Sequence, residues 1–204
     1  MASTIGILIF DDAEELDFVG PWEVFTMSNE VRDHANDPAQ KDRVLTVSQH
    51  GGEVRCAKGM RVIADHSFAD CPPVDVLLIP GGRGTRREVE NHAMLEWIAR
   101  IAATCAWVTS VCTGSLLLTE AGPAAGKRVT THWGFVDQLM ARGKATVLKN
   151  IRYVRDGNIV TAAGVSAGID MALWLVGQMH GVAHARNTQK AMEYDPAPPY
   201  AAEA

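Results

Sequence analysis

Cys112 and Asp17 are the residues of this chain whose types and settings best suit covalent and proton-transfer chemistry. Cys112 lies in Trp107-Val108-Thr109-Ser110-Val111-Cys112-Thr113-Gly114-Ser115-Leu116-Leu117-Leu118. The residues before it are short, apolar and β-branched, as in a buried strand. Those after it suit a helix, so the thiol falls at a sharp strand-to-helix turn. There the helix N-terminus favours thiolate, and its first free N–H groups can bind a developing anion. A hydrolase nucleophile elbow has the pattern G-x-S-x-G. Here Ser110 and Gly114 flank the thiol, so half of that pattern is present. The alternative reading is a buried structural cysteine.

Asp17 follows the acidic run Asp11-Asp12-Ala13-Glu14-Glu15, but unlike those acids it is flanked by Leu16 and Phe18. It reads either as a helix-start acid near the positive dipole end or as a buried carboxyl at the same sheet edge as Cys112, able to keep a proton and deliver it. Gly81-Gly82-Arg83-Gly84 lacks the G-x-G-x-x-G dinucleotide pattern. It suits either a structural loop or a close backbone approach that aims the Gly82 amide at an oxyanion. His132, in Thr130-Thr131-His132-Trp133, reads as a hydrogen-bonded core residue. His180 and His184 have i, i+4 spacing without the glutamate of a zinc motif, so no metal and no cofactor is expected.

The elements that must position these groups alternate. Strands are expected over residues 4–10, 43–49, 74–80, 108–111 and 128–132, and helices over 16–29, 91–104, 115–121 and 135–142. A hairpin region runs through 53–62. A second pair of strands, 151–154 and 159–162, turns at Asp156-Gly157-Asn158, and helices follow over 168–180 and 183–193. This order implies an α/β fold with a mainly parallel central sheet and helices on both faces, with ligands bound beyond the strand carboxyl ends. Residues 1–195 read as one domain and 196–204 as an extended tail rich in Pro and Ala.

Bulk properties narrow the function. The 204 residues are 47% hydrophobic and 21% charged, with a formal net charge of −5. That balance argues against a nucleic-acid partner or a basic membrane-surface footprint. No apolar run approaches the ~20 residues needed to span a bilayer. The N-terminus reads as a first strand rather than a signal peptide. The four cysteines, at 56, 71, 105 and 112, form no C-x-x-C pair, so free thiols in a cytoplasmic setting are expected. The partner expected is a small-molecule substrate.

Five ordered segments carry a resemblance: Gly20-Pro21-Trp22-Glu23-Val24-Phe25, Ile79-Pro80-Gly81-Gly82, Ser110-Val111-Cys112-Thr113-Gly114, Thr130-Thr131-His132-Trp133 and Ser166-Ala167-Gly168-Ile169-Asp170. Together, over residues 4–195, the chain resembles the ThiJ/PfpI superfamily. The resemblance implies a flavodoxin-like sandwich and a homodimer. Members using a Cys-His pair place histidine directly after the cysteine, where this chain has Thr113. Leu16-Asp17, Gly20-Pro21, Cys112-Thr113 and Thr131-His132-Trp133 are most similar to the isocyanide hydratase subgroup. That implies a lyase with Cys112 as nucleophile, Asp17 as proton carrier and Thr113 as positioning group. Gly82, Val165 and Trp133 are then expected around the substrate. The motifs also occur in sensor domains of AraC-type regulators, so a ligand- or redox-sensing role is an alternative, as is a small-carbonyl hydrolase or glyoxalase-like activity. The hydrophilic stretch 28–42 is longer than the hydratase pattern and is expected to alter the pocket mouth.

Overall fold

The structure is a computed structural model that describes residues 2–34 and 41–196. Part of the 28–42 stretch, at 35–40, and most of the expected tail, at 197–204, lie outside the described residues.

The central sheet has seven strands. In chain order the elements begin with β1 (Thr4–Leu8), α1 (Glu15–His34), β2 (Arg43–Ser48), β3 (Gly52–Arg55), β4 (Arg61–Ala64), β5 (His66–Ser67) and β6 (Val76–Ile79). They continue with α2 (Thr85–Glu88), α3 (His92–Ala102), β7 (Trp107–Val111), α4 (Gly114–Glu120), β8 (Arg128–Val129), α5 (Val136–Ala141), β9 (Thr146–Val147), β10 (Tyr153–Asp156), β11 (Ile159–Ala162), α6 (Ala167–His180) and α7 (Val182–Ala191). The sheet order is β10-β11-β7-β6-β1-β2-β5, parallel except for the β10–β11 pair. Helices α1, α6 and α7 pack together, and α4 packs with α2 and α3. The expected mainly parallel α/β architecture is therefore present.

Burial explains the strand pattern. β6 is buried at every position and β7 at every position after Trp107, so both faces of these strands are covered and the sequence runs continuously apolar instead of alternating. Chain order leaves β1 toward β2, then returns to place β6 on the other side of β1. The carboxyl ends of β1, β6 and β7 thus meet at the point where strand order reverses, which is where open α/β sheets bind ligands.

Several boundaries moved. α1 runs to His34 instead of ending near residue 29, because Ser28, Asn29 and Arg32 find partners in a polar network behind it. The strand expected over 128–132 shortens to Arg128–Val129. Beyond it Thr130 and Thr131 use their hydroxyls on carbonyls of neighbouring segments, and His132 caps a 3₁₀ turn at Trp133–Phe135.

In that network the His180 Nε2 atom lies 2.5 Å from Asp42 Oδ2, with both side chains almost fully covered. Asp42 also accepts from the Ser3 N–H at 2.9 Å. Burial pushes its carboxyl up, but the bond from His180 and the nearby Arg32 charge hold it below the usual carboxylate range. His184 meets Ser28 Oγ at 2.8 Å. His184 ties α7 to α1, and His180 ties α6 to Asp42, which Asn29 of α1 also holds; no group of three metal-binding side chains occurs among the described residues. Replacing His180 by leucine leaves a buried carboxylate without its main partner and is expected to cost about 3 kcal/mol in equilibrium unfolding. A variant that unfolds like the wild type would contradict that role.

Candidate active site

Cys112 terminates β7 in the left-handed backbone region, at φ 55°. Its N–H is shared between the Ala162 carbonyl at 3.2 Å and the Ala163 carbonyl at 3.0 Å. The turn that follows leaves no room beyond glycine at 114. A Cβ there would stand 2.2 Å from the Ile79 oxygen and 2.8 Å from the Pro80 oxygen. Gly114→Ala is therefore expected to lose about 3 kcal/mol of stability, since backbone atoms and not a flexible side chain would have to move. A melting curve superimposable on the wild type would contradict that reading.

Asp17, in the first turn of α1, is wholly shielded, with a relative exposure of 0%. Its Oδ2 accepts the Gly81 N–H at 2.8 Å. Its Oδ1 has no hydrogen-bond partner among the described residues. Burial and, secondarily, the Glu14 charge push the carboxyl up to about 7, against the pull of Gly81, Cys112 and Val165 hydrogen bonding. The Cys112 thiol, 6% exposed, is pushed up to about 12 by burial and then by the Asp17 charge. Hydrogen bonding from the Thr113 N–H, the Thr113 hydroxyl and the Val165 N–H works the other way. The Asp17 charge raises Cys112, whereas hydrogen bonding with Cys112 lowers Asp17, so of the two groups Asp17 gives up its proton first. When the proton is on Asp17, the charge that opposes a Cys112 thiolate is gone.

Thr113 is buried and links this pair to the glycine loop. Its Oγ1 accepts the Gly82 N–H at 3.1 Å and lies 3.2 Å from the Gly82 oxygen. Gly81 is glycine of necessity, because a Cβ would meet the Thr113 nitrogen at 2.5 Å and Asp17 Oδ2 at 2.9 Å. The amides at 81 and 82 are thus engaged by Asp17 and Thr113. The Gly82 N–H that the sequence suggested for oxyanion binding is aimed at a hydroxyl.

Val165 holds φ 53°, a conformation that costs a β-branched residue about 1–3 kcal/mol. It lines a cavity of about 480 Å³ together with Trp133, His132, Val136, Ile151 and Thr131. Trp133 is 81% exposed there. Thr131 ties this cavity to the thiol's own backbone, its hydroxyl donating to the Cys112 carbonyl at 2.9 Å. His132 Nδ1 accepts the Gly134 N–H at 3.1 Å, and its ring fills the space beside Gly164. That fits a packed, hydrogen-bonded residue.

Of the six residues singled out from sequence, Asp17, Thr113 and Val165 surround Cys112, Gly82 joins them through Thr113, and Val165 and Trp133 line the adjoining cavity. Gly81, Thr85, Arg86 and Thr131 were missed. Gly81 acts through its backbone N–H, and Thr85, Arg86 and Thr131 through side-chain bonds to backbone carbonyls, which leaves no type-and-spacing signal. Cys56, Cys71 and Cys105 are free thiols held above the ordinary range chiefly by burial.

An isonitrile hydratase of Pseudomonas putida is 40% identical over 200 residues, covering 98% of this chain and 82% of that enzyme. The HTH-type transcriptional regulator CdhR of Pseudomonas aeruginosa is 30% identical over 135 residues, 66% of this chain and 40% of the regulator. The crystal structure of a ThiJ/PfpI family protein from Pseudomonas syringae superposes with a TM-score of 0.87 at 30% identity, covering 100% of this chain and 80% of that one. The DJ-1/PfpI family model matches residues 3–178, and the chain belongs to the DJ-1/PfpI family.

Proposed function

We propose that this protein is a hydro-lyase that adds water to an isocyanide to give an N-substituted formamide. The observation that carries the reading is the fully buried Asp17 carboxyl, raised to about 7 and coupled to the Cys112 thiol, with Oδ1 left without a partner. A carboxyl of that kind can hold a proton at neutral pH and release it to a reacting atom. The similarity to an isonitrile hydratase over nearly the whole chain supports the same chemistry.

The terminal carbon of an isocyanide accepts a soft nucleophile. Cys112 sulfur bonds to that carbon, and Asp17 delivers its proton to the same carbon, leaving a sulfur-linked formimidate and an Asp17 carboxylate. Water then adds to the carbon. One of its protons passes through Asp17 to the nitrogen, and the other returns to Asp17 as the C–S bond breaks. The sum is R–N≡C plus H₂O giving R–NH–CHO, with the one proton shared by Cys112 and Asp17 returned to the pair. Thr113 positions the sulfur through its N–H and hydroxyl, and the R group extends into the cavity bounded by Trp133 and Val165. No cofactor enters these steps.

A glyoxalase-like reaction through a Cys-His pair is disfavoured because Thr113 follows the cysteine and His132 Nδ1 is occupied by Gly134. Among the described residues no helix is long and apolar enough to cross a membrane. The proposal includes a cytoplasmic enzyme, in keeping with its free thiols, and a homodimer. Exposed Met60 and Ile63, beside Val19 and Trp22, offer apolar surface for the second copy. The test is ultraviolet detection of formamide from an aryl isocyanide with purified protein. Steady turnover is expected, and none from fully reduced protein would overturn the reading.

A further inference from the structure

We infer that the isocyanide processed here carries a carboxylate on its R group, and that Arg152 receives that carboxylate in the cavity bounded by Trp133 and Val165. The inference rests on the hydratase reading and names the class of substrate that its cavity fits best.

Trp133, Val136, Ile151 and Val165 give the cavity of about 480 Å³ its apolar surface. Arg152 also lines it, and no acidic side chain does. Lys149 and Asp137, each next in sequence to a lining residue, pair with one another at 2.9 Å. The polar ring on the wall is His132. Its Nδ1 accepts the Gly134 N–H at 3.1 Å, so the ring proton is on Nε2, and the Cδ2–Nε2 edge lies against Gly164 of the same wall. The cavity therefore offers a cation and an N–H donor with no anion to meet them. An R group of hydrocarbon alone would strip water from the guanidinium and return nothing, whereas a carboxylate can take parallel N–H bonds from it.

Arg152 is fixed with respect to the thiol by backbone bonds. Its carbonyl accepts the Ala163 N–H at 2.9 Å, and the Ala163 carbonyl accepts the Cys112 N–H at 3.0 Å. Its side chain is oriented from behind. Nε donates to Asp170 Oδ2, and Nη2 donates to Ser166 Oγ at 3.2 Å. Tyr194 joins the same pair through its phenol. A guanidinium has five N–H donors, so these bonds leave donors over. Asp170 and Tyr194 line the groove between α6 and α7 with Trp174, and neither lines the cavity. Arg152 lines both. It stands as the wall between them, with its counter-charge on the groove side and its remaining donors left to the substrate.

The test is isothermal titration calorimetry of wild type, Arg152→Met and Asp170→Asn. The probes are N-formyl-β-alanine and N-formyl-γ-aminobutyrate, the formamides that such substrates would give, and the methyl ester of each. Wild type is expected to bind the better of the two acids about tenfold more tightly than its ester. Methionine keeps the stem and loses every N–H, so in Arg152→Met the ratio should fall to about one. Asparagine at 170 keeps an oxygen for Nε and removes the competing charge, so Asp170→Asn should bind the acid about threefold more tightly than wild type, with the ester unchanged. Loosening of the ion pair alone would weaken binding in both variants. Acid and ester bound equally, or not at all, by wild type would overturn the assignment. So would a preference that survives Arg152→Met, or an Asp170→Asn protein that weakens with it. The titration needs no turnover. Selective binding without formamide from any isocyanide contradicts the hydratase reading alone, whereas turnover of an aryl isocyanide without preference for the acids contradicts only the carboxylate assignment.

Discussion

Cys112→Ala is expected to lower formamide production by about 10⁴-fold or more, the scale seen when a covalent nucleophile is removed from an otherwise intact site. The fold is expected to survive. Alanine keeps the Cβ, so the turn at φ 55° and its bonds to Ala162 and Ala163 are unchanged in kind. Only one sulfur atom is lost from a small, mostly covered space, and the unfolding free energy should stay within about 1.5 kcal/mol of wild type. Loss of turnover with retained stability separates a chemical role from a packing role. A Cys112→Ala protein with wild-type turnover would return the thiol to the structural reading that its burial also permits.

Asp17→Asn is expected to move activity and stability in opposite directions. Asparagine can still accept the Gly81 N–H, but it cannot carry a proton between water and substrate, so kcat should fall about 10²–10³-fold. Stability follows from the sign of the shift. The folded carboxyl, raised to about 7 from an ordinary value of 3.8, binds its proton more tightly than the unfolded one. The contribution of Asp17 is therefore fully present below about pH 4 and is lost as pH rises through about 7. The whole shift corresponds to about 4 kcal/mol at most. Asparagine stays neutral throughout and lacks this loss. Denaturant unfolding at pH 5 and pH 8 should show the variant gaining on wild type by about 2–3 kcal/mol over that interval. A parallel pH dependence for the two proteins would mean that Asp17 is ionised in the folded state.

These expectations were partly legible before any coordinates. Cys112 could be placed at a strand-to-helix turn because apolar β-branched residues stop at Val111 and a glycine and a leucine run follow. Asp17 stood out because Leu16 and Phe18 bracket it, and the structure places it beneath the glycine loop. The parallel sheet was readable from alternation and from strands with no polar face. Less of the site's wiring could be read. The Gly82 amide could be assigned to an oxyanion or to a loop with equal ease, and only the position of Thr113 Oγ1 shows where that N–H is directed. The short helix holding Thr85 and Arg86 has one turn and no periodicity to detect. The true length of α1 depends on Asp42 and His184, which are far away in sequence, so no local pattern announced it. Val165 shows the same limit, since a β-branched residue gives no hint from sequence that its backbone is left-handed.

The central claim is that Cys112 sulfur bonds to the isocyanide carbon. The most direct measurement is intact mass after acid quench of a single turnover, followed by peptide mapping. The account predicts a transient gain equal to the whole isocyanide, because nothing leaves when the bond forms. It places that gain on the peptide containing Cys112, decaying as formamide appears and absent in Cys112→Ala. Formamide forming at full rate with Cys112 unmodified throughout would contradict it.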